Sequence, residues 1–88
     1  MVTVKKFGAE WCGPCRALKP VLEQLKTEYA GKATFLEYDV DNSPEETMQY
    51  HITSIPVVIV EKDGVILERF QGLSSKLAYT NAINEGLK

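Results

Sequence analysis

Trp11-Cys12-Gly13-Pro14-Cys15 is the stretch that decides the fold, because one periodicity ends there and another begins. Before it, Val2 and Val4 alternate with Thr3 and Lys5 and lead through Phe7 to Gly8, the pattern of a short strand. After it, from Pro14 on, Leu18, Val21, Leu22, Leu25 and Tyr29 recur at three- and four-residue spacing, the apolar stripe of an amphipathic helix. The motif is therefore placed where a strand turns into a helix N-terminus. There, unpaired N–H groups and the macrodipole favour negative charge, so the Cys12 thiol is expected to ionise more readily than a free cysteine. Two intervening residues put Cys15 about one turn further on, within disulfide reach. Gly13 permits the close approach, and Pro14 suits a first turn in which its missing N–H is not needed. Half of a zinc knuckle is the competing reading, and it lacks ligands: the chain has two cysteines and a single histidine, His51.

Working outward, Pro20 lies inside the helix and is expected to kink it, and Gly31 to close it in a left-handed conformation. Ala33 to Val40, with Phe35, Leu36, Tyr38 and Val40, reads as a second strand. Ser43-Pro44-Glu45-Glu46 reads as a helix start, with Ser43 as N-cap, Pro44 in the first helical position and Glu46 completing a capping box. That short helix runs to about Tyr50, and His51 after it is read as a cap, since histidine tolerates positive φ better than most residues. Val57 to Val60 is a run of β-branched residues, as in a strand buried on both faces. Lys62-Asp63-Gly64 is a hairpin turn from which Val65 to Gln71 returns antiparallel. Gly72 ends that strand, and Ser74 or Ser75 caps a last helix whose Leu77, Ile83 and Leu87 face inward. The order βαβαββα predicts an α/β domain over residues 1–88, a four-stranded mixed sheet flanked by three helices, with the first two strands parallel.

Composition narrows the function. With 88 residues, 44% of them hydrophobic, there is room for one small core and no second domain. A formal net charge of -2 gives no reason to expect binding to nucleic acid or to an anionic membrane. No stretch approaches the roughly 20 apolar residues of a membrane span, and Met1 to Lys6 holds no secretory h-region, so a cytoplasmic protein is expected. In that reducing setting two adjacent cysteines point to redox work and not to a staple.

Ala9-Glu10-Trp11-Cys12-Gly13-Pro14-Cys15-Arg16, Pro20, Asp39-Val40-Asp41, Ser54-Ile55-Pro56, Lys62-Asp63-Gly64 and Gly72 together resemble the thioredoxin family, from the first strand to Leu87. The family's N-terminal strand and helix have no counterpart. The resemblance implies a protein-disulfide reductase without a bound cofactor or metal, in which Cys12 attacks a substrate disulfide and Cys15 resolves the mixed disulfide. It implies a cis Pro56 that exposes the Ile55 backbone to an extended substrate peptide, and an apolar docking surface of Trp11, Gly13, Pro14, Ile55, Pro56, Gly72 and Leu73. Its partners would be disulfide-containing proteins and a thioredoxin reductase as electron donor, and the protein would be a monomer.

The pattern is broken at two charged positions. Lys6 stands where the family usually has a buried aspartate near the second cysteine, and Glu37 where it usually has the lysine paired with that aspartate. A charge-reversed pair beneath Cys15 is the expectation, because one reversal alone would set like charges together at a cost of several kcal/mol: about 4 at 4 Å with an effective dielectric of 20. A charged Lys6 would then stabilise the Cys15 thiolate, with Glu37 or a water as proton acceptor. Gly8 replaces a second tryptophan common before the motif, which leaves Trp11 as the one indole. Two other functions are compatible with the motif. A glutaredoxin would normally carry a tyrosine between its cysteines and a glutathione-binding pattern, neither of which is evident. An accessory binding subunit would use the same face around Trp11 and Pro56 and would survive loss of both thiols.

Overall fold

The computed structural model describes all residues, 1–88. The seven elements are β1 (Val2–Gly8), α1 (Gly13–Glu28), β2 (Ala33–Asp39), α2 (Pro44–Gln49), β3 (Val57–Lys62), β4 (Val65–Gln71) and α3 (Lys76–Leu87). They form one four-stranded mixed sheet in the order β2-β1-β3-β4, with β1 parallel to β2 and antiparallel to β3. The predicted α/β architecture is the observed one. Asp63 and Gly64, with φ of 51° and 84°, make the tight turn of the β3–β4 hairpin, since positive φ at both central residues matches the twist of the flanking strands.

Alternation along the strands sorts side chains to two faces. Val2, Val4, Val58 and Val60 meet Leu18, Leu22 and Leu25 of α1 and Tyr79 and Ile83 of α3 in the larger core cluster. Phe7, Val57 and Ile59 face the other way, toward Tyr50 at the end of α2. Val57 to Val60 are all fully buried, as a strand between two layers of helix requires. Lys6 shares the face of Val2 and Val4, whereas Lys5 shares that of Phe7.

Three local readings are corrected. Leu77 does not face inward: it is 67% exposed, and Leu87 is also exposed. The buried face of α3 is Tyr79, Ile83 and Gly86, at i, i+4 and i+7. Gly86 lets the helix sit so close to the sheet that a Cβ there would come within 2.8 Å of Val2 Cγ2. The capping box at α2 does not form. Ser43 is the N-cap residue, but with ψ of 61° it leaves the extended region and makes no side-chain cap. Its carbonyl instead accepts from the Thr47 hydroxyl at 2.7 Å. At α1 the helix is capped at Tyr29, whose N–H reaches Leu25 O, and left-handed Gly31 follows two residues later. Of the alternatives for α3, Ser75 is the cap: its hydroxyl oxygen accepts from Ala78 N–H at 3.1 Å. His51 takes the positive φ expected of it, 53°.

An unanticipated polar cluster lies on the α2 face. Lys5 Nζ is 2.7 Å from Glu61 Oε1 and donates to the Tyr50 hydroxyl at 2.6 Å, and that hydroxyl donates to Glu61 Oε2 at 2.9 Å. The Lys5 and Glu61 side chains are only 17% and 8% exposed. Burial alone pushes the Lys5 ammonium down, but the bonds to Glu61 and Tyr50 outweigh it and hold the group well above the usual lysine value. The triangle ties the end of α2 to β1 and β3. From β4, Arg69 donates to the carbonyls of Tyr50 and His51, so the segment leading to Pro56 is held at its start from three strands.

Candidate active site

β1 ends at Gly8, and the chain crosses Ala9 to Trp11 before entering α1 with Cys12 as N-cap. The two cysteines form a disulfide, with Cα atoms 5.3 Å apart. Cys12 Sγ accepts from Cys15 N–H at 3.3 Å, one of the helix donors that has no partner within the helix. A thiolate at Cys12 would keep that bond and gain from the positive end of α1, both of which favour the charged form. Both cysteines are buried, at 7% and 3% exposure, and pack with Ala9 against Ile55 and Val40.

Of the residues expected to dock a substrate, Trp11 and Gly13 flank Cys12 in the chain and Ile55 packs against the two cysteines. The Ile55–Pro56 bond is cis. The Pro56 carbonyl accepts from Gly72 N–H at 2.8 Å, which fixes the loop carrying Leu73 beside the proline. The N–H and C=O of Ile55 take part in none of the backbone hydrogen bonds, and so present one free donor and one free acceptor next to the disulfide. Trp11 is 68% exposed, and its indole N–H donates to Asp41 Oδ2 at 2.8 Å. Gly13, Pro14 and Leu73 are exposed, Ile55 and Gly72 half-buried, and Pro56 buried. Asp41 was not among the expected site residues. The spacing of a strand end thirty residues from the indole carries no signal for that contact.

Lys6 and Glu37 face each other across the parallel β1–β2 pair, with Lys6 Nζ 3.4 Å from Glu37 Oε1. Their environments differ: the lysine side chain is 11% exposed and the glutamate 63%. Gly8 lies between this pair and the disulfide, since a Cβ on it would stand 3.2 Å from Cys15 Sγ and 3.6 Å from Lys6 Cε. No group of three or more His, Cys, Asp or Glu side chains is arranged to hold a metal ion. No helix is long and apolar enough to cross a membrane.

Comparison with known proteins agrees with this geometry. Residues 1–85 match the family model described as Thioredoxin. A thioredoxin of Staphylococcus aureus is 44% identical over 75 residues, covering 85% of this chain and 72% of the relative. Among solved structures, the X-ray structure of Fasciola hepatica thioredoxin superposes with a TM-score of 0.86 at 33% identity, over 97% of this chain and 80% of that one. Oxidised mitochondrial thioredoxin 3 from Saccharomyces cerevisiae gives 0.84 at 31%, over 96% and 77%.

Proposed function

Since the chain belongs to the thioredoxin family and is a thiol-disulfide oxidoreductase, we propose that it works as a general protein-disulfide reductase with Cys12 as attacking thiolate and Cys15 as resolving thiol. Members of the family act on disulfide substrates and are reduced by a thioredoxin reductase. The observation that carries the assignment of roles is the position of Cys12 at the N-terminus of α1, with the Cys15 N–H on its sulfur. The same N–H holds the thiolate that leaves when the protein disulfide is opened.

In the reductive direction Cys12 Sγ attacks one sulfur of a substrate disulfide, and a mixed disulfide forms as the other sulfur leaves. Cys15 then attacks Cys12 Sγ, the second substrate thiolate leaves, and the protein is oxidised. An extended substrate segment would pair with the free N–H and C=O of Ile55 as an added strand, its apolar side chains resting on Trp11, Gly13, Pro14, Pro56, Gly72 and Leu73. The protein is taken to act as a cytoplasmic monomer, with a thioredoxin reductase as its donor. Insulin reduction with NADPH and candidate thioredoxin reductases tests this, with dithiothreitol as an alternative donor. Precipitation of insulin chains is expected, and its absence with every donor overturns the reading.

For Cys15, charged Lys6 favours the thiolate that does the resolving, and Glu37 or a water takes the proton. Because Glu37 is mostly solvated, the coupling between the pair is expected at only about 0.5–1 kcal/mol, far below the value for a fully buried pair. Lys6→Glu alone should slow insulin reduction, and Lys6→Glu with Glu37→Lys should recover part of the loss. A double-mutant cycle on turnover and on urea unfolding measures this, and strictly additive losses would show the two side chains to be independent.

A further inference from the structure

The connection from β4 to α3 runs from Gly72 to Ser75 and carries one apolar side chain, Leu73, which is 53% exposed. The other three residues are tied. Gly72, in the left-handed region at φ 78°, donates its N–H to the Pro56 carbonyl, Ser74 N–H donates to the Tyr79 hydroxyl at 3.0 Å, and the Ser75 hydroxyl caps α3. Leu73 makes no backbone hydrogen bond of its own, so its place beside Pro56 is set by its two neighbours.

Tyr79 is suited to this task by the helix it sits on. Helical side chains lean toward the N-terminus of their helix, which carries the hydroxyl back from the start of α3 to Ser74. The ring is fully buried and meets Phe70 of β4 edge-on at 4.8 Å. One side chain thus grips the connection from both sides, through Phe70 before Gly72 and Ser74 after it. A phenylalanine would fill the same space, and the hydroxyl has a single hydrogen bond, the one to Ser74 N–H. Nor does α3 need that bond for its cap, which Ser75 supplies.

We propose that Tyr79 is a positioning residue for protein substrates: its hydroxyl, through Ser74, holds Leu73 in its docking position before a substrate arrives. The proposal rests on the reading of Leu73 as part of the docking surface. A contact fixed in advance binds better than one that must be ordered on binding, because the ordering cost is removed. Tyr79 belongs to the larger core cluster and not to the one around the cysteines, so its hydroxyl acts on recognition of a polypeptide and not on thiol chemistry. A small disulfide that reaches Cys12 without spanning to Leu73 gains nothing from it.

The test compares parent and Tyr79→Phe, each reduced and freed of reductant, in the second-order rate constants for insulin and for hydroxyethyl disulfide. Ser74 is exposed, so water can take up its N–H in the variant and the fold should survive, which urea unfolding checks. The insulin constant should fall about fivefold, the scale of one net hydrogen bond, while the hydroxyethyl disulfide constant stays unchanged. A general loosening of structure would lower both. Leu73→Ala should slow insulin reduction in the parent and cost clearly less in the Tyr79→Phe background, since a side chain no longer held in place contributes less. An unchanged insulin constant in Tyr79→Phe, equal losses with the two disulfides, or a full Leu73→Ala effect in both backgrounds overturns the role of Tyr79. If Leu73→Ala has no effect even in the parent, the docking reading of this loop fails and the proposal with it.

Discussion

Cys12→Ser is expected to lower insulin reduction to no more than about 10⁻⁴ of the parent rate, the scale of loss that follows removal of a covalent nucleophile. A serine hydroxyl at the α1 N-terminus still accepts the Cys15 N–H, so helix and fold should survive, and circular dichroism should be unchanged. Cys15→Ser should fail differently. Cys12 can still attack, but nothing inside the protein can resolve the product, so each molecule turns over once and a covalent complex with substrate accumulates. Non-reducing gels and intact mass resolve the two cases. Steady turnover by Cys15→Ser, or a complex linked through Cys15 in Cys12→Ser, would reverse the assignment of roles.

Lys5→Met should destabilise the fold by about 3 kcal/mol, because it strands the Glu61 carboxylate among buried groups with only the Tyr50 hydroxyl on it. That is a large part of the 5–15 kcal/mol typical of a whole domain. Lys5→Met combined with Glu61→Leu should recover most of the loss, since an apolar replacement of both members of a buried pair is often close to neutral. The pH dependence has a definite sign. The Lys5 ammonium is held above its unfolded value, so its contribution is complete below that value and is lost only as pH rises through the folded one. Urea unfolding of parent and variant should therefore differ by a constant amount from neutral pH up to the ordinary lysine range near 10, and by less beyond it. A loss under about 1 kcal/mol, or a double variant no better than the single one, would mean that the cluster is solvated in solution.

The elements were legible where the information is local. The turn at Asp63-Gly64, the β-branched run Val57 to Val60 and the change of period at Cys12 each depend on residues adjacent in sequence, and each formed where expected. On α3, Ile83 is buried as expected, but Leu77 and Leu87, just as apolar in sequence, are exposed. The packing of α3 is set instead by how closely Gly86 lets the helix approach Val2. The Lys5–Tyr50–Glu61 triangle depends on strand register, with Thr3 opposite Glu61 placing Lys5 diagonally beside it, and no single segment encodes that. At the site, the cysteines and the cis Pro56 were readable from motif and resemblance. The Trp11–Asp41 bond was not, because it joins two loops.

Both ends of the chain meet the β3–β4 turn, far from the cysteines. The Met1 ammonium lies 2.7 Å from the Asp63 carboxylate, and the Lys88 carbonyl accepts from Lys62 at 3.3 Å. Cys12, by contrast, follows the opposite end of β1. The polypeptide is thus nearly a closed ring, with its seam at one pole and its reactive sulfurs at the other. A ring of that kind can be cut and rejoined: linking residue 88 to residue 1 and opening the chain in an exposed loop, or splicing the whole domain into a surface loop of another protein, leaves the reactive pole untouched.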